Sequence, residues 1–142
     1  MMNREVRRIM NTNPDVALMT ESAQAIIDKM IGDGLQQLPV ITDEGKLAGM
    51  IHYHTMLSMQ QQHKDISALT AADCMDERVL KITPKDKVGT AAELFADQRF
   101  KVLPVVNLRN ELKGVVTAFN LIKLAFNKEY SSPILYKDAF VA

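Results

Sequence analysis

Two stretches of the chain carry apolar residues on a single helical face. In each stretch the apolar positions follow the spacing i, i+3, i+4, i+7, which is typical of an amphipathic helix packed on a core. The first set is Ala23, Ile26, Ile27 and Met30, and the second is Val88, Ala91, Ala92 and Phe95. Ser22 and Gly34 predict the ends of the first helix, because serine caps N-termini and glycine suits the left-handed C-terminal position. Lys87 and Arg99 stand at these places in the second stretch, so no cap defines its ends.

Each helix is followed by two short apolar runs with a polar turn between them. These runs cover residues 37–42, 47–52, 102–107 and 112–117. Short runs rich in Val, Leu and Ile around a turn of about four residues predict a β-hairpin whose strands are buried on both faces. Pro39 and Pro104 lie inside the first run of each pair. Because proline cannot donate a ladder hydrogen bond, we expect both at a strand start or a sheet edge.

The two stretches are copies of one unit. Three landmarks recur at an offset of 65 residues: Leu38-Pro39-Val40-Ile41 with Leu103-Pro104-Val105-Val106, Gly49 with Gly114, and Met10 with Met75. Each copy also has a second helix after its hairpin, at 55–62 and 120–127, and a short helix and short strand ahead of its first helix. The pattern predicts an α/β (α+β) fold of two β-α-β-β-α units related by a pseudo-twofold axis.

The repeat also predicts the domain boundaries. Residues 3–62 are predicted as the first repeat, 63–69 as a linker, 70–127 as the second repeat and 128–142 as a C-terminal tail. A unit of about 60 residues is marginal alone, whereas a longer chain such as this one buries roughly two-thirds of its unfolded surface. We therefore expect the halves to fold as one body. In the tail, the apolar residues 134–136 are expected to add a strand or to pack on a partner.

Composition narrows the classes of function. Lysine and arginine together number 17, as do aspartate and glutamate, and this balance argues against a general nucleic-acid binder. No apolar run approaches the roughly 20 residues of a membrane span, and residues 1–10 lack the apolar core of a signal peptide. The single cysteine, Cys74, excludes an internal disulfide and is expected to be a small buried hydrophobe. A reducing cytoplasm is therefore the predicted compartment.

Several landmarks recur in the same order in both copies. The first copy carries Val6-x-x-Ile9-Met10, Leu38-Pro39-Val40 and Gly45-Lys46-Leu47-x-Gly49, and the second carries Ala72-Asp73-Cys74-Met75, Ile82-Thr83-Pro84, Leu103-Pro104-Val105-Val106 and Leu112-Lys113-Gly114-Val115-Val116-Thr117. In this order they resemble the CBS domain, named after the regulatory region of cystathionine β-synthase. Together the copies look like a tandem CBS pair, often called a Bateman module, over about residues 3–127.

The resemblance implies a regulatory protein rather than an enzyme. CBS pairs form a compact body, commonly dimerise through their helices, and in many cases bind adenosine-containing ligands in two clefts between the repeats. AMP, ADP, ATP or S-adenosylmethionine is therefore the expected kind of ligand, and no obligatory cofactor is expected. A homodimer is the expected assembly, with a separate effector protein as partner. The resemblance implies no catalytic residue, and the charge balance and the lack of a long apolar run predict no nucleic-acid and no membrane partner.

In this family a Gly-x-x-Thr/Ser-x-x-Asp motif at the hairpin exit contacts the ribose and the phosphate. The second copy keeps the threonine, Thr117, and has Asn120 in place of the aspartate. Asparagine bonds a hydroxyl without charge, and charge-assisted hydrogen bonds are roughly twice as strong. The predicted nucleotide-binding residues of this cleft are Thr117, Asn120, Ile82, Lys101, Val102, Leu103 and Pro104. The alternative is structural, with Thr117 and Asn120 as a helix capping box, Lys101 solvated and the apolar residues in the core.

The first copy departs further from the motif. His52 and Thr55 stand at the two polar positions, so a ribose there would lack its carboxylate. The second, weaker cleft is predicted to involve His52, Thr55, Leu38 and Pro39. His52 and His54 would share a metal ion if both lay on a strand, since alternate strand residues point the same way. That geometry fails if a helix starts at His52, and no third ligand lies nearby, so no metal site is predicted.

Two classes of function follow. The first is a regulatory module that binds an adenosine-containing nucleotide between its repeats, changes their relative positions and signals to a partner protein. The alternative is a nucleotide-silent CBS dimerisation or scaffold module, which the loss of the aspartate from both copies favours. Met50, Met56, Met59 and Leu57 would supply an adaptable apolar surface for a second subunit. An enzyme is not predicted, because no nucleophile–base pair or paired carboxylates stand at a useful spacing.

Overall fold

The computed structural model describes residues 1–62 and 65–129, and both repeats contain a helix, a hairpin and a second helix in the same order. The first repeat consists of β1 (Ala17–Leu18), α1 (Ala23–Asp33), β2 (Gln37–Ile41), β3 (Leu47–His52) and α2 (Tyr53–Gln61). After the short helix α3 (Ala71–Cys74), the second repeat consists of α4 (Val88–Phe95), β4 (Val102–Val106), β5 (Leu112–Thr117) and α5 (Ala118–Glu129). Short 3-10 helices lie at Val6–Arg8 and Ile66–Ala68. The predicted fold class is confirmed, and the apolar residues 134–136 lie outside the described residues.

Each repeat builds one small sheet on its hairpin. In the first, β2 lies between β1, which runs parallel to it, and the antiparallel β3. In the second, β4 and β5 form the hairpin in the same register, and both hairpins carry a register shift at the same place. The predicted strand at 79–82 is reduced to one parallel bridge between Ile82 and Val105.

The ends of the two long helices differ as their sequences do. Ser22 Oγ accepts a hydrogen bond from the N–H of Ala25 at 3.1 Å, and Gly34 ends α1 with φ at 67°, as predicted. Lys87 makes no side-chain cap at the start of α4, which ends at Phe95 and is therefore a turn shorter than the first helix. The chain then takes several irregular residues to reach β4.

Each proline is the third residue of its strand. Pro39 lies in β2, the central strand of its sheet, so the expected strand start or edge is wrong for Pro39. Pro104 lies in β4 of a two-stranded sheet, which agrees with the expected edge apart from the single bridge between Ile82 and Val105. The partner of Pro39 across the hairpin is Met50, whose N–H and C=O bond instead to Asp76 at 2.9 and 2.8 Å. The Pro39–Met50 pair therefore exchanges no hydrogen bonds, and the missing N–H costs the β2–β3 ladder nothing.

The segment ahead of each repeat crosses to the other repeat. Asn11 exchanges two main-chain hydrogen bonds with Val115 of β5, at 2.8 and 3.0 Å. At the offset of 65 residues, Asp76 makes the equivalent exchange with Met50 of β3. Both sheets are thus extended by one residue pair from the other half of the chain, and this reciprocal pairing makes the halves one body.

The cores show the same exchange. Val6, ahead of the first repeat, is fully buried in the core of the second repeat, beside Leu103 and Val116. Ala71 and Cys74, ahead of the second repeat, are buried in the core of the first. Each repeat therefore completes its core with an apolar segment from the other, as expected of units that are marginal alone.

The recurrent glycines mark where these crossing segments pass. A Cβ on Gly114 would lie 2.6 Å from the carbonyl oxygen of Asn11 and 3.1 Å from Met10 Sδ. A Cβ on Gly49 would lie 2.7 Å from Met75 Sδ. The two glycine landmarks and the two methionine landmarks are thus contact partners across the repeats, because only glycine lets the crossing backbone approach so closely.

Candidate functional site

Among the described residues, three cavities open where the repeats meet, and one of them, of about 570 Å³, is the surface cavity beside Thr55 and Lys101. The other two occupy equivalent positions of the repeats. The larger of these two has a volume of about 520 Å³, and six of its lining residues are Gln37, His52, Asp76, Arg78, Arg99 and Phe100. The smaller has a volume of about 120 Å³, and six of its lining residues are Asn11, Asp15, Leu35, Leu38, Pro39 and Thr117. Ligand pockets usually enclose about 300–1,000 Å³, a range that includes only the larger of these two.

These two cavities are equivalent positions of the repeated unit. At the offset of 65 residues, Asn11 corresponds to Asp76, Asp15 to Leu80, Leu35 to Phe100 and His52 to Thr117. In each, the hairpin exit of one repeat faces the crossing segment and the strand entry of the other. The cavities are therefore the two clefts of a pseudo-twofold pair, and we call them the large cleft and the small cleft.

The structure combines the predicted site residues across the repeats. Thr117 and Val102, predicted for the same cleft, both line the small cleft, together with Leu38 and Pro39, which were predicted for the other one. His52 lines the large cleft, which Val102 also borders. The reason is the crossing: a hairpin exit faces the strand entry of the opposite repeat as well as the first residue of its own hairpin.

The other predicted residues lie elsewhere. Ile82 and Leu103 belong to the core of the second repeat. Pro104 is also buried, and its carbonyl accepts a hydrogen bond from the N–H of Ile82 at 2.9 Å. Lys101 borders the third cavity together with Thr55 and His52. None of Ile82, Leu103, Pro104 and Lys101 lines the small cleft beside Thr117.

Thr117 and Asn120 form a reciprocal cap at the start of α5. The N–H of Thr117 donates to Asn120 Oδ1 at 2.8 Å, and Thr117 Oγ1 donates to the same oxygen at 3.1 Å. The N–H of Asn120 in turn donates to Thr117 Oγ1 at 3.3 Å. Thr117 and Asn120 therefore form the helix capping box that the structural alternative predicts. At the equivalent position in the first repeat, His52 makes no side-chain cap for α2.

Charge separates the two clefts. Arg78 and Arg99 line the large cleft, and their side chains are 95% and 81% exposed. Arg99 Nη2 bonds Asp97 Oδ2 at 2.6 Å, and this hydrogen bond lowers the pKa of Asp97 to about 2. In the small cleft, Asp15 is the one charged residue among the described lining residues. The large cleft therefore suits an anionic group, and the small cleft does not.

Sequence reasoning missed Gln37, Arg78, Arg99 and Phe100 as cleft residues. A usable signal was the difference between copies, since the offset places Asn13 opposite Arg78, Gly34 opposite Arg99 and Val102 opposite Gln37. A polar or charged residue that replaces a small or apolar one at a single repeat position indicates a local role. A motif shared by both copies contains only the positions where they agree, so it leaves out the positions where they differ.

The histidine pair is not arranged for a metal ion. Because α2 begins at Tyr53, His52 ends a strand while His54 lies on a helix. Within residues 1–62 and 65–129, no three His, Cys, Asp or Glu side chains are grouped so as to hold a metal ion. Cys74 is 8% exposed, and burial raises the pKa of its thiol. In the same part of the chain, every helix is too short or too polar to cross a bilayer.

Known structures share this architecture. The CBS-pair protein CBSX2 from Arabidopsis thaliana, solved in complex with AMP, matches with a TM-score of 0.79 and 21% identity over 89% of this chain and 98% of that one. The CBS domain pair of protein MJ0100, solved with 5′-methylthioadenosine and S-adenosyl-L-methionine, matches with a TM-score of 0.71 and 21% identity, covering 88% of this chain and 98% of that one. Likenesses at this identity show the fold.

Comparison of sequences agrees. A homoserine O-acetyltransferase from Methanocorpusculum labreanum is 28% identical over 117 residues, which is 82% of this chain but 23% of that enzyme. The chain thus spans about a quarter of the length of this relative. The family model for the CBS domain matches twice, at residues 6–61 and 71–127. The chain therefore belongs to the CBS domain family, as a tandem pair of CBS domains.

Proposed function

We propose that the chain is a non-catalytic regulatory module of the cytoplasm that binds an adenosine-containing nucleotide in its large cleft and signals to a partner protein. The observation that carries this proposal is the cavity of about 520 Å³ between the repeats, lined by Arg78 and Arg99. A ligand there touches both repeats at once. Its binding energy can therefore favour one relative position of the repeats over another, which a partner can recognise.

The large cleft offers the two kinds of contact that a nucleotide needs. Arg78 and Arg99 supply guanidinium donors for a phosphate, and hydrogen bonds of this charged kind are roughly twice as strong as neutral ones. Phe100, Leu80 and Met50 supply apolar and aromatic wall for a base. Arg78 is held only loosely, with its Nε 3.8 Å from Asp76 Oδ1, so a phosphate can recruit it at little cost.

The small cleft is proposed as a weaker site. Thr117 borders it and can still contact a ribose hydroxyl. Asn120 does not line the cleft, but its amide nitrogen has no role in the cap and would be a second donor if the cleft widened toward it. Asp15 opposes a phosphate in this cleft. We therefore expect the small cleft to accept an adenosyl group without phosphate, and only after it widens beyond about 120 Å³.

Related pairs support the choice of ligand class. CBSX2 was solved with AMP, and the MJ0100 pair with 5′-methylthioadenosine and S-adenosyl-L-methionine. All three ligands carry adenosine, and they differ in charge at the 5′ position. The charge difference between the two clefts of this chain therefore predicts which 5′ group each cleft prefers.

Calorimetric titration of the full chain with AMP, ADP, ATP and S-adenosylmethionine tests the proposal. We expect one site for AMP, weakened about tenfold by Arg78→Gln or Arg99→Gln, since a charged hydrogen bond contributes roughly 1.5–3 kcal/mol. Arg109→Gln is the matched control, because Arg109 lies in the turn of the second hairpin, away from both clefts. Absence of binding by every ligand, or equal loss in the control, would contradict it.

A second candidate is a dimerisation or scaffold module. The observation that favours it is the apolar surface of α5, where Phe119 is 68% and Ile122 is 63% exposed. A homodimer that covers these residues would be consistent with either function. Sedimentation velocity tests the candidate: a monomer at micromolar concentration contradicts it, and a dimer lost in Phe119→Ser with all nucleotides silent favours it over ligand sensing.

A further inference from the structure

Gln37 is the most completely bonded side chain at the junction of the repeats. It is 8% exposed and is the one buried polar side chain in residues 1–62 and 65–129. Its Oε1 accepts hydrogen bonds from the N–H groups of Lys101 and Val102 at 2.9 and 3.0 Å. Its Nε2 donates to the carbonyl of Arg99 at 2.9 Å and contacts His52 Nδ1 at 3.1 Å.

Three main-chain partners fix the orientation of this amide. Backbone N–H groups only donate and a backbone carbonyl only accepts, so the oxygen of Gln37 must face Lys101 and Val102 and its nitrogen must face Arg99. The nitrogen that faces Arg99 also faces His52. Since that nitrogen only donates, His52 Nδ1 must be the acceptor. The ring proton of His52 therefore resides on Nε2.

The hydrogen-bonded side chain of Gln37, which we call the Gln37 bridge, lies between the two clefts. Gln37 and Val102 border both of them, whereas Arg99 and His52 border the large cleft. Val102 is the repeat equivalent of Gln37 and carries no amide, so the pair has one such bridge and not two. The two clefts therefore differ in their supporting hydrogen bonds as well as in their lining residues, because Gln37 has an amide that bonds the opposite repeat and its equivalent, Val102, has none.

We propose that Gln37 is a positioning residue that fixes His52 as an Nε2–H donor for the large cleft and holds the Arg99–Val102 wall in place. This proposal rests on the proposed function for the identity of the group that His52 meets, an acceptor oxygen of the nucleotide phosphate or ribose. The neutral ring adds a directed donor to a cleft whose other donors are the two arginines. Gln37 acts through these groups, because its amide oxygen and nitrogen are already bonded to Lys101, Val102, Arg99 and His52.

Gln37→Glu is the sharpest variant, because it keeps the size of the side chain while it removes the donors and adds one negative charge. The carboxylate still accepts from Lys101 and Val102 but cannot donate to Arg99 or His52. To keep its contact, His52 must turn an N–H toward position 37, so its proton moves to Nδ1 or the ring becomes doubly protonated. Gln36→Glu is the matched control, since Gln36 is the exposed neighbour and gains the same charge.

The first measurement is the long-range ¹H–¹⁵N spectrum of His52 without ligand. We expect a protonated Nε2 and a bare Nδ1 in the natural chain and in Gln36→Glu, and a protonated Nδ1 in Gln37→Glu. A protonated Nδ1 in the natural chain would overturn the proposal, as would a Gln37→Glu spectrum identical to the natural one. This result does not depend on any nucleotide, so it stands apart from failure of the proposed function.

The second measurement is calorimetry with AMP. We expect Gln37→Glu to weaken binding about tenfold and Gln36→Glu to weaken it no more than about twofold, because the loss of a directed donor exceeds the effect of one exposed charge. Equal weakening by both variants would show simple repulsion and overturn the proposal. If Gln37→Glu does not fold, His52→Thr, which copies Thr117, replaces it: we expect the Lys101 and Val102 amides to stay protected from exchange and AMP binding to weaken. Unchanged AMP binding in His52→Thr would overturn the proposal.

Discussion

The two clefts share a backbone plan and differ in the side chains that face it. Both are built from a hairpin exit of one repeat and a crossing segment of the other, yet their volumes are about 520 and 120 Å³. The large cleft carries two arginines and one aspartate, Asp76, whereas the small cleft carries one aspartate and no cation among its described lining residues. The pair thus keeps the symmetry of its main chain while its side chains prepare one cleft for an anion.

The difference begins at the end of the first long helix of each repeat. Gly34 ends α1 with φ at 67°, a conformation that nearly any other residue adopts only with strain. The equivalent helix α4 ends earlier, at Phe95, and its C-cap Ala96 is in a right-handed conformation. The position equivalent to Gly34 therefore does not need a positive φ. Arg99 occupies it. A change of helix cap in one copy therefore places a guanidinium at one cleft and not at the other.

The largest expected effect on stability comes from adding a side-chain atom where the segment around Asn11 packs against β5. Gly114→Ala places a Cβ 2.6 Å from the carbonyl of Asn11, a main-chain atom that cannot turn away. Overpacking of this kind costs about 1–3 kcal/mol, so we expect a lower urea midpoint with an unchanged slope. The small cleft, bordered by Asn11 and Val115, should distort with it.

Gly32→Ala is the control for this change. Gly32 lies inside α1 with no atom within 4 Å of an added Cβ. Alanine is a better helix former than glycine, so this variant should be more stable by up to about 1 kcal/mol. If the two variants unfold at the same urea concentration, the crossing segment is not held as tightly as the distances indicate.

The next effect converts one cleft into the other. The double variant Arg78→Asn with Arg99→Gly gives the large cleft the residues found at these positions in the first repeat. We expect AMP binding to weaken about tenfold or more while adenosine changes little, because only the phosphate loses charged donors. Competition calorimetry with the two ligands measures the ratio. An equal loss for adenosine would show that the arginines shape the cleft rather than bind phosphate.

Much of the fold was predictable because its signals are local. The helix faces and the cap residues Ser22 and Gly34 are properties of neighbouring positions, and the offset of 65 residues is found by comparing the sequence with itself; the structure agrees with all of them. The position of Pro39 was not, because its tolerance depends on the β2–β3 register, in which Pro39 and Met50 exchange no hydrogen bonds. That register is a pairing between two strands and is not visible in the residues next to the proline.

The clefts were less predictable for the same reason. A motif read along one copy groups Thr117 with Val102 and Lys101, but the crossing sets Thr117 against Leu38 and Pro39 of the other copy. The role of Gln37 depends on main-chain atoms 62 to 65 residues away. Residues that serve a junction between repeats can be found from the positions where the copies disagree, which a shared motif passes over.

A smaller effect on stability should distinguish the start of α5, which has a side-chain cap, from the start of α2, which has none. Thr117→Ala removes the hydroxyl that accepts from Asn120 and so breaks the capping box of α5, a loss of about 1 kcal/mol. Thr55→Ala is the control at the α2 end, where no side-chain cap exists at His52. We expect only the first variant to lower the thermal midpoint, with AMP binding to the large cleft unchanged in both. Equal destabilisation would mean that the cap carries no stability.

The smallest effect concerns the ion pair beside the large cleft. Asp97 holds Arg99 through a 2.6 Å bond, and its pKa is lowered to about 2 from an ordinary value of 3.8. A lowered pKa means that its stabilising contribution is present above pH 3.8 and is lost as the pH falls through about 2. Asp97→Asn removes this contribution but frees Arg99, so we expect AMP to bind up to about twofold more tightly, the small factor reflecting solvent screening. A carboxyl titration near pH 4 in the natural chain would show that the ion pair is not formed in solution. Weaker AMP binding in the variant would show that Asp97 orients Arg99 for the ligand instead of competing for it.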